Sequence, residues 1–439
     1  MTHTYGIADS NTATDGGENP ESSEQSALLG NHATAKKDKR DGKANMISST
    51  SNLVNTIIGS GMLTFPLALA SAGILPGMLT CALSGGIAAF GLYLLTLCAA
   101  KAPHRRSSFF AIAQMTFPRA AIFFDLAIAI KCFGVSISYL IIIKSLTPNV
   151  VSSLYHDLSD SEPAAWMLNG RNWLIIFMVI LVPLAFLRHL HSLRHTSYIA
   201  LFSVAYLLVI VIKCYFWPLD NMPPAGEIHL IYFTPNFVST FPVQVFAFTC
   251  SHNLFSIYNE MKSNTQSRMN ITIGSAIGSA TLTYEIIAVF GYLTFGTNVG
   301  ANIIAMYPPT SLFVAIGQVA IVILVFHAGE TVKPASDGEE DVEVDDHGSG
   351  EMSDTKHIIL TLGIIIVLSF VGSTGSTTIS FILPGLFYWK LTRNDESSRI
   401  LNRAAIALAA YGMFIFVFCL GFNIYQVIYP AANSGGPAH

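Results

Sequence analysis

From about residue 46 onward, long apolar runs alternate with short polar stretches. A helix rising 1.5 Å per residue needs about 20 mostly apolar residues to cross hydrocarbon. On that measure the pattern predicts about eleven membrane-spanning helices, over 46–70, 74–100, 119–145, 172–187, 196–216, 239–258, 271–295, 310–327, 357–371, 376–390 and 404–429. The ninth and tenth are short and meet at Gly372-Ser373-Thr374-Gly375. The expected fold class is an all-α integral membrane protein with a transmembrane domain over 46–429.

The flanks have a different texture. Residues 1–45 hold almost no large apolar side chains and are expected to form a disordered tail. They contain no apolar h-region, so they are not a cleavable signal peptide. Within them, Glu24, Leu28 and Leu29 fit an acidic dileucine pattern, an acid followed at +4 and +5 by leucines. Such motifs are read by adaptor complexes that sort to vacuoles, lysosomes and endosomes. Residues 328–356 carry a run of acids from Glu339 to Asp346 and are expected to be a solvated loop, and 430–439 a short tail.

Composition agrees: 52% of the 439 residues are hydrophobic and 11% charged, and mean hydropathy is +0.52. A soluble domain carries roughly 25% charge. So little charge cannot clothe a water-exposed surface; the net charge of −4 says little, because in a membrane protein the placement of charge matters more than its sum, and no nucleic-acid partner is expected. The six cysteines lie in or beside apolar runs without a CxxC pair, so neither a disulfide framework nor a metal site is expected. His189, His191 and His195 are close in sequence but sit among Arg188 and Arg194 in a short basic loop. No paired aspartates or Ser/His dyad point to an intramembrane enzyme, and no cofactor is expected.

The placement of Lys and Arg predicts orientation. Basic residues fill the N-terminal tail and the loops after the second, fourth, sixth and tenth spans; examples are Lys37, Arg105, Arg188, Lys262 and Arg393. The alternate loops are nearly bare, and one carries Asp157, Asp160 and Glu162. The N-terminus is therefore expected to be cytosolic and the C-terminal tail lumenal.

Two spans carry interruptions. In the first, Gly59-Ser60-Gly61 falls near mid-span, beside Asn52, Asn55 and Thr56. Glycine costs about 1 kcal/mol against alanine in a helix, so the helix is expected to open there. An opened helix frees N–H groups that attract a carboxylate and carbonyls that attract a cation. An amino acid carries both charges. The competing reading of Gly59-x-Gly61 is a close-packing site for a neighbouring helix. In the sixth span Thr249-Cys250-Ser251-His252-Asn253 interrupts the run from Val243 to Tyr258. His252 titrates near neutral pH in water and is a candidate proton relay, against the alternative of a structural histidine. The two interruptions lie five spans apart, as in transporters built from inverted five-helix repeats. Lys131 and Glu285 lie inside spans and should face the bundle interior, as an ion pair or as part of ion coupling.

The stretch Asn52-Leu53-Val54-Asn55-Thr56-Ile57-Ile58-Gly59-Ser60-Gly61-Met62-Leu63 resembles the signature of the amino acid/auxin permease family, especially its fungal vacuolar branch. Phe133 to Leu140, Phe255 to Glu260 and Gly291 to Gly296 are similar to other stretches of that family. The resemblance implies a leucine-transporter-like 5+5 inverted repeat and amino-acid transport, usually proton-coupled, with sodium less favoured. It implies that Thr56, Ile57, Gly59, Ser60 and Gly61 contact substrate and that Asn55 lies near an ion site. Cys250, Ser251 and Asn253 are expected to complete the substrate site from the sixth span. The family's Cys-His-Gln-Asn reads Cys250-Ser251-His252-Asn253 here, so the histidine is displaced by one position. The expected function is secondary transport of amino acids across a vacuolar membrane; the alternative is an amino-acid sensor with little flux.

Overall fold

The computed structural model describes residues 42, 44–102, 107–158, 163–186, 193–308, 311–331 and 368–428, and among these the chain is helical. The first span is two helices, α1 (Met46–Ile57) and α2 (Phe65–Ala72), joined through a 3₁₀ turn at Ser60–Thr64. Asn45 caps α1, its side-chain oxygen accepting from the Ser48 N–H at 2.7 Å. Pro66 in the first turn of α2 lacks an N–H where the helix has no use for one. There follow α3 (Ile74–Ala99), α4 (Phe109–Thr116), α5 (Ala121–Leu158), α6 (Gly170–Phe186) and α7 (Leu193–Phe216). The sixth span is again split, into α8 (Phe237–Ala247) and α9 (Ser251–Glu260). The remainder is α10 (Gln266–Phe295), α11 (Leu312–Thr331), α12 (Leu368–Thr392) and α13 (Arg399–Ile428).

Helix α10 is central, packing against α1, α2, α3 and α7. Its Tyr284 and Tyr292 are fully buried, as are Phe65, Phe248 and Phe295 around them. The outward faces are apolar too: Ile122, Phe123, Phe133, Val179, Phe202, Phe414 and Val417 are exposed. An apolar core inside an apolar exterior is what lipid as solvent selects. Five described helices are individually long and apolar enough to cross a membrane, and the bent α1–α2 pair makes a sixth.

Several expectations change. The soft boundary at Gly372-Ser373-Thr374-Gly375 is not a break: α12 runs unbroken through it. It does so by adopting π turns at Gly372–Ser376 and Thr378–Ile382, which absorb the glycines and small polar residues within the helix. Most of the predicted ninth span, 357–367, lies outside the described residues. The third span extends to Leu158, through Pro148. Helix α4 falls in a stretch read as a loop, because eight residues are too few to span; Ser108 caps it by accepting from the Ala111 N–H at 3.0 Å. Of the stretch expected to be a tail, residues 42, 44 and 45 are described. Ala44 pairs with the end of α9, its N–H donating to Glu260 O at 3.0 Å and its carbonyl accepting from Lys262 N–H at 2.8 Å. Glu24, Leu28 and Leu29 lie outside the described residues, as do the whole acidic run from Glu339 to Asp346 and residues 429–439; residues 328–331, expected in that loop, are the last turn of α11.

Candidate functional site: two facing helix breaks

The first break lies where the glycines put it. Helix α1 ends at Ile57, Ile58 is extended (φ −75°, ψ 98°), and Gly59 is extended as well (φ −136°, ψ −155°). The axis turns by 47° between the two half-helices. The second break is two residues earlier than its polar run suggests: it occupies Phe248, Thr249 and Cys250, and Ser251, His252 and Asn253 form the first turn of α9. Small polar residues favour helix starts because they compete for backbone hydrogen bonds elsewhere. The start of α9 thus presents free N–H groups beside a polar first turn.

The two breaks touch. A Cβ added at Gly61 would lie 2.7 Å from Ala247 Cβ and 3.0 Å from its Cα, so only glycine lets these backbones approach. Asn253 Nδ2 donates to Thr56 Oγ1 at 3.0 Å, and Thr56 Oγ1 donates to Asn52 O at 2.9 Å. The buried Tyr284 hydroxyl lies 2.7 Å from Ile57 O and 3.0 Å from Ala247 O, the final carbonyls of α1 and α8. Its ring stacks on Phe65 at 4.6 Å and meets Phe248 edge-on at 5.2 Å. Tyr284 therefore contacts both sides of the first break and both the end of α8 and the second break.

Helices α5 and α12 supply the remaining walls. The Tyr139 hydroxyl stands over Gly59, 3.4 Å from where a Cβ would be. Lys131 is buried, with Nζ 3.3 Å from His252 Nδ1. Gly375, in the first π turn of α12, packs on the Lys131 stem; a Cβ there would meet Lys131 Cβ at 2.6 Å. Ser380 links Ser251 and Thr249, each hydroxyl contact being 3.4 Å. Three buried polar side chains on contacting elements have atoms without hydrogen-bond partners: Ser60 after the first break, Gln244 on α8 and Ser376 on α12. Leaving such a group unpaired costs about 1–3 kcal/mol, a cost a polar solute would relieve.

The predicted residues sort clearly. Thr56, Ile57, Gly59, Ser60, Gly61, Cys250, Ser251, His252, Asn253 and Lys131 all lie at or beside the breaks. Ile57 contributes its carbonyl to the Tyr284 contact. Asn55 is half-buried on α1. Glu285 is half-buried on α10 and makes no ion pair with Lys131, whose amine faces His252 instead. Tyr139, Gln244, Tyr284 and Ser376 were not singled out by sequence. A tyrosine in an apolar run has the signature of any core aromatic; of the four, Tyr139 and Gln244 lay in noted stretches. Among the described residues no group of three or more His, Cys, Asp or Glu could hold a metal ion.

Discontinuous helices whose broken centres meet inside an apolar bundle define a secondary-transporter architecture. The fold is leucine-transporter-like: the chain aligns with the inward-facing conformation of Mhp1 at a TM-score of 0.53 and 14% identity, over 88% of this chain and 90% of that one. Residues 42–329 match the family model described as transmembrane amino acid transporter protein. Vacuolar amino acid transporter 5 of Schizosaccharomyces pombe is 40% identical over 87% of this chain and 95% of its own length. Vacuolar amino acid transporter 6 of Saccharomyces cerevisiae is 32% identical over 86% of this chain and 98% of its own. The protein belongs to the transmembrane amino acid transporter family, the amino acid/auxin permeases, whose matched members are transporters and not enzymes.

Proposed function

We propose that this protein is a secondary active transporter that moves amino acids across the vacuolar membrane by alternating access around its two helix breaks. The observation that carries the reading is the meeting of those breaks, with polar groups converging from α1, α8, α9 and α12. Vacuolar relatives matched along nearly their whole length support the substrate class and the compartment. The α-amino group of a substrate would be held by freed carbonyls and hydroxyls, and its carboxylate by the N–H groups at Gly59-Ser60-Gly61 and the start of α9. Tyr139 and Ser60 would add hydroxyl contacts.

The driving ion in this proposal is the proton. The Lys131–His252 contact supports it: a hydrogen bond there needs one partner to offer a lone pair, which leaves a place for a further proton. The charge bias of the short loops supports a cytosolic N-terminus, from which the dileucine motif at Glu24, Leu28 and Leu29 would engage an adaptor complex.

The test is uptake of a labelled amino-acid panel into proteoliposomes, with and without an imposed pH gradient, for the parent and for Gly61→Ala. Uptake that follows the gradient and falls about tenfold in the variant is expected, because an added methyl forces the breaks apart. Binding of an amino acid by the parent without any flux would replace the transporter reading with that of a sensor.

A further inference from the structure

Helix breaks in transporters expose carbonyls, and a cation commonly gathers them. Here the two carbonyls that end the half-helices α1 and α8, Ile57 O and Ala247 O, converge on one point, each at a helix end of negative polarity. A tyrosine hydroxyl is already at that point. Tyr284 reaches it from α10, fully buried, at 2.7 Å from one carbonyl and 3.0 Å from the other. The hydroxyl has one proton to donate. Ile57 O, the nearer acceptor, takes the larger share, and Ala247 O keeps accepting capacity. The ring is held from two sides, by Phe65 after the first break and Phe248 within the second. The hydroxyl is thus a fixed part of the protein.

We infer that Tyr284 is a positioning residue that stands in for a bound monovalent cation, a built-in protonic bridge tying the ends of α1 and α8. The inference rests on the transporter reading for its meaning in transport, but it concerns cation binding and is testable without flux. Its consequence is twofold. The parent has no use for sodium at the breaks. Removing the hydroxyl while keeping the ring leaves two bare carbonyls in an apolar interior, and a small monovalent cation becomes the natural ligand that gathers them.

The experiment compares the parent with Tyr284→Phe in sodium, lithium and choline chloride, by proteoliposome uptake and by thermal unfolding of the purified proteins. The parent is expected to give the same uptake in all three salts, within twofold, and the same unfolding midpoint. Tyr284→Phe is expected to lose about tenfold in choline, to regain uptake in sodium or lithium, and to unfold at a higher temperature in those salts, because a ligand bound only by the folded state stabilises it. A parent that needs sodium, or a folded Tyr284→Phe that no cation stabilises, would overturn the inference. If Tyr284→Phe does not fold, the parent decides: a midpoint raised by sodium over choline overturns the inference, and an unchanged one upholds it. If the parent transports nothing while Tyr284→Phe is stabilised by sodium, the transporter reading fails and this one stands.

Discussion

Gly59 and Gly61 are separated by one serine yet differ in what they tolerate. Above Gly59 the nearest atom to an added Cβ is the Tyr139 hydroxyl at 3.4 Å, an ordinary contact, whereas at Gly61 the Ala247 backbone is in the way. Gly59→Ala is therefore expected to keep uptake within threefold of the parent, in contrast to the tenfold loss for Gly61→Ala, when both are measured at matched protein content. The sequence marks both glycines equally; their difference comes from a residue 186 positions away (247 − 61) that only the fold brings close. A second contrast concerns acid. Asp395, in the turn between α12 and α13, accepts from the Ser397 hydroxyl and then the Ser397 N–H, which hold its carboxyl below the usual carboxylate range. A depressed folded value means the stabilisation is present above the unfolded value of about 3.9 and is lost as pH falls through the folded one. The unfolding midpoint of the parent should exceed that of Asp395→Ala from neutral pH down to about 5, and the gap should close below about 4.

Among the helices, α12 and α9 behave least as the pattern predicts. Small residues let α12 press on its neighbours: a Cβ at Gly372 would lie 2.0 Å from Pro242 O. Gly372→Ala is expected to lower the unfolding midpoint by several degrees, as an overpacked contact costing about 1–3 kcal/mol does. At the far end of α9, Asn259 clasps the segment before α4. Its oxygen accepts from the Ser107 hydroxyl at 2.8 Å and the Ser107 N–H at 3.3 Å, and its amide donates to Ser107 O at 2.8 Å. Asn259→Ala is expected to make the chain near residue 107 a site of limited proteolysis, read as a new cleavage in a timed digest, because a segment tied to a helix by one side chain opens when that side chain is gone. The long apolar helices were legible from apolar runs, and so were both breaks; the short α4 was not. The shift of the second break was not, because polar residues mark a helix start as well as an interruption. The π turns of α12 were not legible either, since Gly372-Ser373-Thr374-Gly375 has the composition of a loop.

The assembled bundle makes its own claims. All six cysteines are buried and unpaired, so no covalent link joins the halves. A reductant should leave the unfolding midpoint unchanged, and a thiol-reactive dye should label the protein only along its unfolding curve. The bundle is held instead by contacts between distant parts of the chain, and Tyr284 is the extreme case. Periodicity could place it on a helix; that its hydroxyl meets two broken ends depends on how three helices pack, information spread over the chain. Time enters here. Tyr284 follows Ile57 by 227 residues. A ribosome working at about 5–20 residues per second leaves the first break without its hydroxyl for roughly 11–45 seconds. During that interval the first half sits in the membrane with an unpartnered gap, which the translocation machinery, a chaperone or water must cover, and a nascent chain stalled before residue 284 should remain in that unfinished condition.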